Sequence, residues 1–312
     1  MQKIRVMTTK EIIEKTISEY IALNLDQVIN YEKMRLYSIV ANSTALEGST
    51  LTKTDTQLLL DEGITAKGKP MLHHLMVQDN YKALQETLIL ASRKTLLTPT
   101  VLQKINGINM ANTGEVVNSA LGTVDGTKGE FRKVQAFSEA LGYYYAPQKI
   151  QDAVDVYCEK AQKHMTQPLS KAEALKLSFE MQATLIIIHP WQDGNKRTSR
   201  LISNYVQKFF DLPIGEVSKE DSVEYLQNLK IYKDTGDIEP FVEFMSERYV
   251  NNLSEEMKKY KQSLDWELPQ KKTPEKSKSI EAPKQIEYHP QNKNLFKNSK
   301  GHWEKVKKGI GI

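Results

Sequence analysis

The amino-acid sequence predicts an all-α fold carrying one small β-hairpin. Three observations lead there. Apolar residues recur at helical spacing along most of the chain, and one stretch, Gly129 to Ala146, is rich in β-formers. No succession of strand patterns suggests a parallel sheet or a repeat array. The 312 residues suffice for one large domain or two modest ones, and 39% hydrophobic with 26% charged residues fits a soluble globular body.

In chain order, Ile12, Ile13, Thr16, Ile17, Tyr20 and Ile21 repeat at the spacing of one helix face. Tyr31 to Leu46 reads as a second helix, and Gly48 suits the left-handed residue that ends one. Segments around 70–92, 98–111, 147–164, 218–234 and 238–263 read as helices too. Ala172, Leu175, Phe179, Ala183 and Ile186 mark another, and Leu201, Ile202, Tyr205, Val206, Phe209 and Phe210 a further one. Between 129 and 146, Phe131, Val134, Phe137, Tyr143, Tyr144 and Tyr145 surround Gly142, the pattern of a short hairpin, and Pro147 suits the first turn of the next helix. After Leu268 the composition shifts to Lys, Asn, Gln, Ser and Pro, so 268–312 reads as a mostly disordered tail.

The net charge of +4 belongs to that tail. Residues 268–312 hold 11 lysines against 4 glutamates, leaving 32 basic and 35 acidic side chains, a net of −3, in 1–267. The folded body therefore gives no electrostatic reason to bind nucleic acid. A single cysteine, Cys158, excludes an internal disulfide and suits a reducing, cytoplasmic setting. The first residues lack the apolar segment of a secretory signal, and no apolar run reaches the roughly 18 residues of a membrane span.

Chemistry concentrates in HPWQDGNKRTSR, residues 189–200. Pro190 stops the helix before it, because a residue preceding proline is driven away from helical geometry. The turn then presents Gly194 and Asn195 at the start of the next helix, where free N–H groups make an anion site. Lys196, Arg197 and Arg200 crowd the positive end of that helix dipole, a placement that makes sense if an anion binds there. Asp193 beside a phosphate site is a natural Mg²⁺ ligand, and His189 could take a proton from a hydroxyl. Taken singly these are a helix-end histidine, a turn aspartate and a solvated basic cluster. Together they describe phosphoryl or nucleotidyl transfer. Glu47 is out of place in the opposite sense, a carboxylate at a helix C-terminus with no lysine or arginine within four residues. Arg200 could complement it. His73 and His74, adjacent on a helix and facing different sides, read as structural.

The 189–200 segment resembles the signature of the Fic family, His-x-Phe-x-(Asp/Glu)-Gly-Asn-x-Arg-x-x-Arg, with Trp191 in place of the usual Phe. STALEGSTLT (43–52), LLLDEGITAKGKP (58–70) and GEFR (129–132) extend the likeness over roughly residues 30–250. The resemblance implies a protein adenylyltransferase that transfers AMP from Mg-ATP to a Ser, Thr or Tyr hydroxyl of a target protein. It makes His189 the general base and Asp193 the Mg²⁺ ligand. Gly194, Asn195, Lys196, Arg197 and Arg200 would bind the nucleotide, and the 133–146 hairpin would be a flap on which the target docks. Ser43, Glu47 and Gly48 fit the family's inhibitory motif (Ser/Thr)-x-x-x-Glu-(Gly/Asn), in which the glutamate pairs with the second arginine.

The same likeness divides the chain into an N-terminal helical region with the inhibitory helix (1–95), a catalytic core (96–250), a helical extension (251–267) and the basic tail (268–312). Partners implied are a nucleotide and a target protein, with no membrane; a homo-oligomer is compatible. Lys196 departs from the pattern of AMP-transferring members, which carry Gly there, and is typical of the Doc branch, which transfers the γ-phosphate. A Doc-like phosphotransferase and a catalytically silent nucleotide-binding regulator therefore stand as alternatives. The Lys196 side chain is left open between the phosphate pocket and solvent.

Overall fold

The computed structural model describes residues 7–25, 28, 31–264, 288–289, 292–297 and 302–305. The described residues contain ten α-helices. Helix α1 (Thr9–Ala22) opens on a reciprocal cap between Thr8 and Glu11, and α3 (Lys53–Glu62) on the same device between Thr52 and Asp55. Between them runs α2 (Tyr31–Ala45), buried along most of its second half. After Pro70 comes α4 (Met71–Ser92), and Thr98 caps α5 (Pro99–Asn109). Two antiparallel hairpins follow, β1 (Val116–Ser119) with β2 (Gly122–Asp125), then β3 (Phe137–Ser138) with β4 (Gly142–Tyr143).

Pro147–Lys149 forms a 3₁₀ turn that leads into α6 (Ile150–Met165). Ser170 and Glu173 cap α7 (Lys171–Ile188), and α8 (Asn195–Phe209) follows a six-residue turn. A second 3₁₀ turn, Lys219–Asp221, precedes α9 (Ser222–Thr235), and α10 (Glu239–Leu264) ends the helical body. No helix among the described residues is long and apolar enough to cross a membrane.

Helix α7 lies between two apolar clusters. Leu177, Met181, Leu185 and Ile188 join α2, α4, α5, α6 and α8, whereas Leu175, Phe179, Ala183 and Ile186 join α1, α9 and α10. A helix apolar on all sides belongs in the middle of a bundle. Helix α8 is as deeply placed, with 13 of its 15 residues buried, although its sequence is largely polar. Its polar side is satisfied internally: Asn204 Nδ2 donates to the Gly215 carbonyl at 2.7 Å, and Gln207 Oε1 accepts from the Gly215 N–H at 2.7 Å. Such groups are tolerated in a core only when paired.

Two expectations need correction. One hairpin was expected, and residues 31–264 contain two. The β1–β2 hairpin is built on Val116, Val117 and Val124, joined by an Ala120–Leu121 loop that lacks the usual Asn-Gly signal. Around the expected helix starts at 147 and 218 lie the 3₁₀ turns Pro147–Lys149 and Lys219–Asp221, with α6 and α9 beginning directly after them. Most of the tail expected to be disordered, 268–312, lies outside the described residues, and those that are described include short strands. Strands β5 (Tyr288–His289), β6 (Asn292–Lys297) and β7 (Trp303–Lys305) form an antiparallel sheet in the order β5-β6-β7. Tyr, Phe and Trp in those short runs are β-formers that the lysine-rich composition outweighs on average. Residues Met1–Lys261 and Gln262–Ile312 are separate compact units.

Candidate active site

The turn from His189 to Gly194 is held from several sides. His189 closes α7 with φ 54° and ψ 59°, a left-handed conformation that a residue with a side chain adopts only under constraint. Its N–H donates to the Leu185 carbonyl at 3.0 Å, and its carbonyl accepts from Arg132 Nε at 2.7 Å. Trp191 is 1% exposed and donates from its indole to the Gly129 carbonyl at 3.0 Å. Asn195 closes the turn in both directions: its Oδ1 accepts from the Trp191 N–H at 2.9 Å, and its Nδ2 donates to the Trp191 carbonyl at 2.8 Å.

Gly194 caps α8 with φ 77°. A Cβ there would stand 2.6 Å from Met110 Sδ and 2.9 Å from Asn106 Nδ2, so only glycine fits. Asn106 also donates to the Thr198 hydroxyl at 3.0 Å, as Asn109 does at 3.2 Å, which ties α5 to the start of α8.

The His189 ring is sheltered. It stacks on Tyr144 with ring centres 3.8 Å apart and planes 17° from parallel. Burial, then the Arg132 charge, push its pKa down to about 3; the Ile186 carbonyl and Glu47 oppose that shift and Lys196 adds to it. The ring is neutral near pH 7 and can accept a proton.

Asp193 is exposed. Its Oδ1 accepts from the Gly194 N–H at 2.5 Å, and its Oδ2 lies 3.5 Å from Arg197 Nη2. Arg197 is 3% exposed and also donates to Met110 Sδ at 3.3 Å, while its Nη1 is buried without a hydrogen-bond partner. Burial lowers its pKa. A buried guanidinium nitrogen left without an acceptor, beside a free helix N-terminus, fits a polyphosphate. Among the described residues no three His, Cys, Asp or Glu side chains cluster to hold a metal. One carboxylate completed by phosphate oxygens suits Mg²⁺, which needs no protein cage.

Arg200 is occupied. It donates from Nε to Ser43 Oγ at 3.0 Å, and from Nη2 to the Ser43 carbonyl and to Glu47 Oε1, both at 2.8 Å. The other oxygen of Glu47 lies 3.1 Å from Lys196 Nζ. Burial alone would raise the Glu47 carboxyl, but Arg200 and then Lys196 outweigh it and hold the pKa below its ordinary value. Gly48, with φ 91°, turns the chain away immediately after Glu47. Helix α2 carries Glu47 to this point because it is anchored far from the site. Arg35 donates to the Tyr20 hydroxyl at 2.8 Å, and Tyr20 and Tyr31 donate to Glu256 Oε2 at 2.8 and 2.6 Å.

Every residue the sequence singles out in 189–200 therefore shares one site with Ser43, Glu47 and Gly48. The Lys196 side chain turns inward rather than out to solvent, its ammonium 3.1 Å from the Glu47 carboxylate. His74 is structural in its contacts, with Nε2 accepting from the Ala66 N–H at 2.9 Å and Nδ1 2.9 Å from the Pro70 carbonyl. Sequence reasoning missed the role of Arg132. This 2% exposed cation donates to the carbonyls of His189, Val134 and Tyr145, and only its place in the GEFR segment marks it. The stacking of Tyr144 on His189 has no signal in the sequence.

Residues 96–207 match the Fic/DOC family. A "Protein adenylyltransferase Fic" of Culex quinquefasciatus is 25% identical over 222 residues, covering 69% of this chain and 40% of the mosquito protein. Its namesake in Nematostella vectensis is 26% identical over 216 residues, covering 69% and 47%. The chain thus spans less than half the length of these curated relatives. Among solved structures, Fic-1 (aa134–508) of C. elegans aligns with a TM-score of 0.67 at 18% identity, over 82% of this chain and 73% of that one. A Fic domain containing signaling protein from Bacteroides thetaiotaomicron aligns with a TM-score of 0.62 at 22% identity, over 78% and 94%. These two likenesses are of fold.

Proposed function

We propose that the chain, whose residues 96–207 match the Fic/DOC family, is a protein adenylyltransferase that moves AMP from ATP to a hydroxyl of a target protein and is held off by Glu47. The observation that carries this reading is the juxtaposition of a neutral, sheltered His189 with the α8 N-terminus and its two buried arginines. The N–H groups at Gly194 to Lys196, with Arg197 and Arg200, bind and orient the triphosphate. His189 takes the proton of the target hydroxyl as its oxygen bonds to the α-phosphorus; the bond from that phosphorus to the β-phosphate bridging oxygen breaks, and pyrophosphate leaves. Asp193 would hold Mg²⁺, which when bound offsets the negative charge of the phosphate oxygens. The target segment lies along the 133–146 flap by adding to its edge. A cytoplasmic setting suits the single, buried thiol of Cys158.

Glu47 is the inhibitory element. Its carboxylate occupies Arg200 and Lys196 together, so a terminal phosphate must displace it to reach either cation. A second reading, transfer of the γ-phosphate, rests on Lys196, whose ammonium stands where that phosphate would replace Glu47. Incubation with α-labelled and γ-labelled ATP in parallel, with Glu47→Gly as the released form and His189→Ala as the blank, tests both. Label from α alone supports adenylylation, and label from γ alone supports phosphorylation. Label from neither in the released form leaves a nucleotide-binding regulator and overturns the catalytic reading.

A further inference from the structure

The base is not placed by its own turn alone. Strands β3 and β4 are two residues each, and their outward aromatic residues Phe137 and Tyr143 are 59% and 71% exposed. A hairpin this short is marginal by itself, so something outside it must fix its position. Arg132 ties its base through the Val134 and Tyr145 carbonyls. The tip is tied from α9. Lys233 Nζ donates to the carbonyls of Leu141 and Tyr143, on either side of Gly142, and lies 4.6 Å from the centre of the Tyr144 ring. The His189 imidazole covers one face of that ring at 3.8 Å, so the ammonium lies against the other.

We propose that Lys233 is a positioning residue for His189: it clamps the flap tip to α9 and presses Tyr144 onto the imidazole. Lysine is strongly hydrated and gives up water only for good replacements. Two carbonyls and an aromatic face supply them here, and a partly desolvated cation is held more tightly by a ring than an exposed one. Burial lowers the Lys233 pKa, in keeping with a desolvated ammonium. The Tyr144 hydroxyl stands 3.0 Å from Ser138 Oγ, at the edge of the ring away from the stacked faces. Movement of the tip would therefore uncover His189, whose other charged neighbours are Arg132, Lys196 and Glu47. On the Lys233 side the charged neighbours are Asp234 and Lys230. The effect on transfer rests on the reading of His189 as proton acceptor, whereas the clamp does not.

The test uses the full chain and proton NMR of the His189 ring, assigned by difference against His189→Gln; the chain has six histidines. In the wild type the ring protons should be displaced upfield by Tyr144 and stay constant from pH 8 down to about pH 5. Lys233→Met keeps the aliphatic stem but should lose that displacement, and His189 should titrate within the same range. Lys233→Arg should restore both, and Tyr144→Phe should keep them. In the Glu47→Gly background, Lys233→Met should lower label transfer to a protein hydroxyl roughly tenfold with ATP affinity unchanged. A Lys233→Met ring spectrum identical to wild type overturns the clamp, and so does failure of Lys233→Arg to restore it. Absence of label transfer in every variant speaks against the proposed activity alone, because the ring spectrum still decides the clamp.

Discussion

Glu47 Oε1 accepts from Arg200 Nη2 at 2.8 Å across 153 positions of sequence, in a site where both side chains are largely buried. Each is misplaced at its own helix end, a carboxylate at the C-terminal end of α2 and a cation at the N-terminal end of α8, and each corrects the other. Glu47→Gly is therefore expected to release Arg200 for nucleotide. A coupling of about 1–3 kcal/mol corresponds to a rise of about 5–150-fold in self-labelling with ATP and Mg²⁺. Equal labelling of the two proteins, measured against the His189→Ala blank, would remove Glu47 from the control of activity.

Lys196 holds the same carboxylate less firmly, because its side chain is 34% exposed and the contact is a single 3.1 Å pair. Partly exposed pairs contribute about 0.2–1 kcal/mol. Lys196→Gly should thus raise basal transfer up to about 5-fold, less than Glu47→Gly does. The ratio of α-label to γ-label should stay as it is. A ratio moving toward α would show that the side chain instead governs nucleotide orientation.

The depressed pKa of His189 has a stability consequence. The unfolded ring takes a proton near its ordinary pKa of about 6.5, whereas the folded ring stays neutral down to about 3. Its contribution is fully present above about pH 6.5 and is lost as pH falls toward 3. His189→Gln removes that dependence. Thermal midpoints of wild type and variant should converge or cross as pH drops from 7 to 4. Parallel curves would argue against a buried neutral imidazole.

Gly194→Ala combines strain at φ 77° with a Cβ pressed to 2.6 Å from Met110 Sδ. A loss of about 1–3 kcal/mol is expected from denaturant unfolding, together with weaker ATP binding. Adding Met110→Ala should recover the part due to contact and leave the part due to backbone strain. No recovery at all would assign the whole effect to the backbone.

Short-range rules were enough for much of the site. Pro190 ends α7, and Gly194 begins α8 with a left-handed turn. The anion-binding character proposed for 194–200 rests on which residue types stand at a helix start, so it can be argued within a dozen positions. Helical spacing likewise located most of the body, because one apolar face repeats every three or four residues. The four-residue strands β1 and β2 and the strands from 288 onward left too few residues for any period to emerge.

Tertiary structure decided what meets across the fold. The polar face of α8 looks solvent-bound in sequence, yet it is buried because Gly215, Ser178 and Ser43 supply partners from elsewhere. Motif likeness anticipated Glu47 and Arg200 as a pair, but the turn of Lys196 onto the same carboxylate depends on where α2 is anchored by Arg35 and Glu256. The stacking of Tyr144 between Lys233 and His189 brings together three elements about 45 residues apart in succession. Local sequence sets backbone conformation through steric terms that act over a few residues. Contacts at that range arise only when the packed core leaves each side chain one place to go.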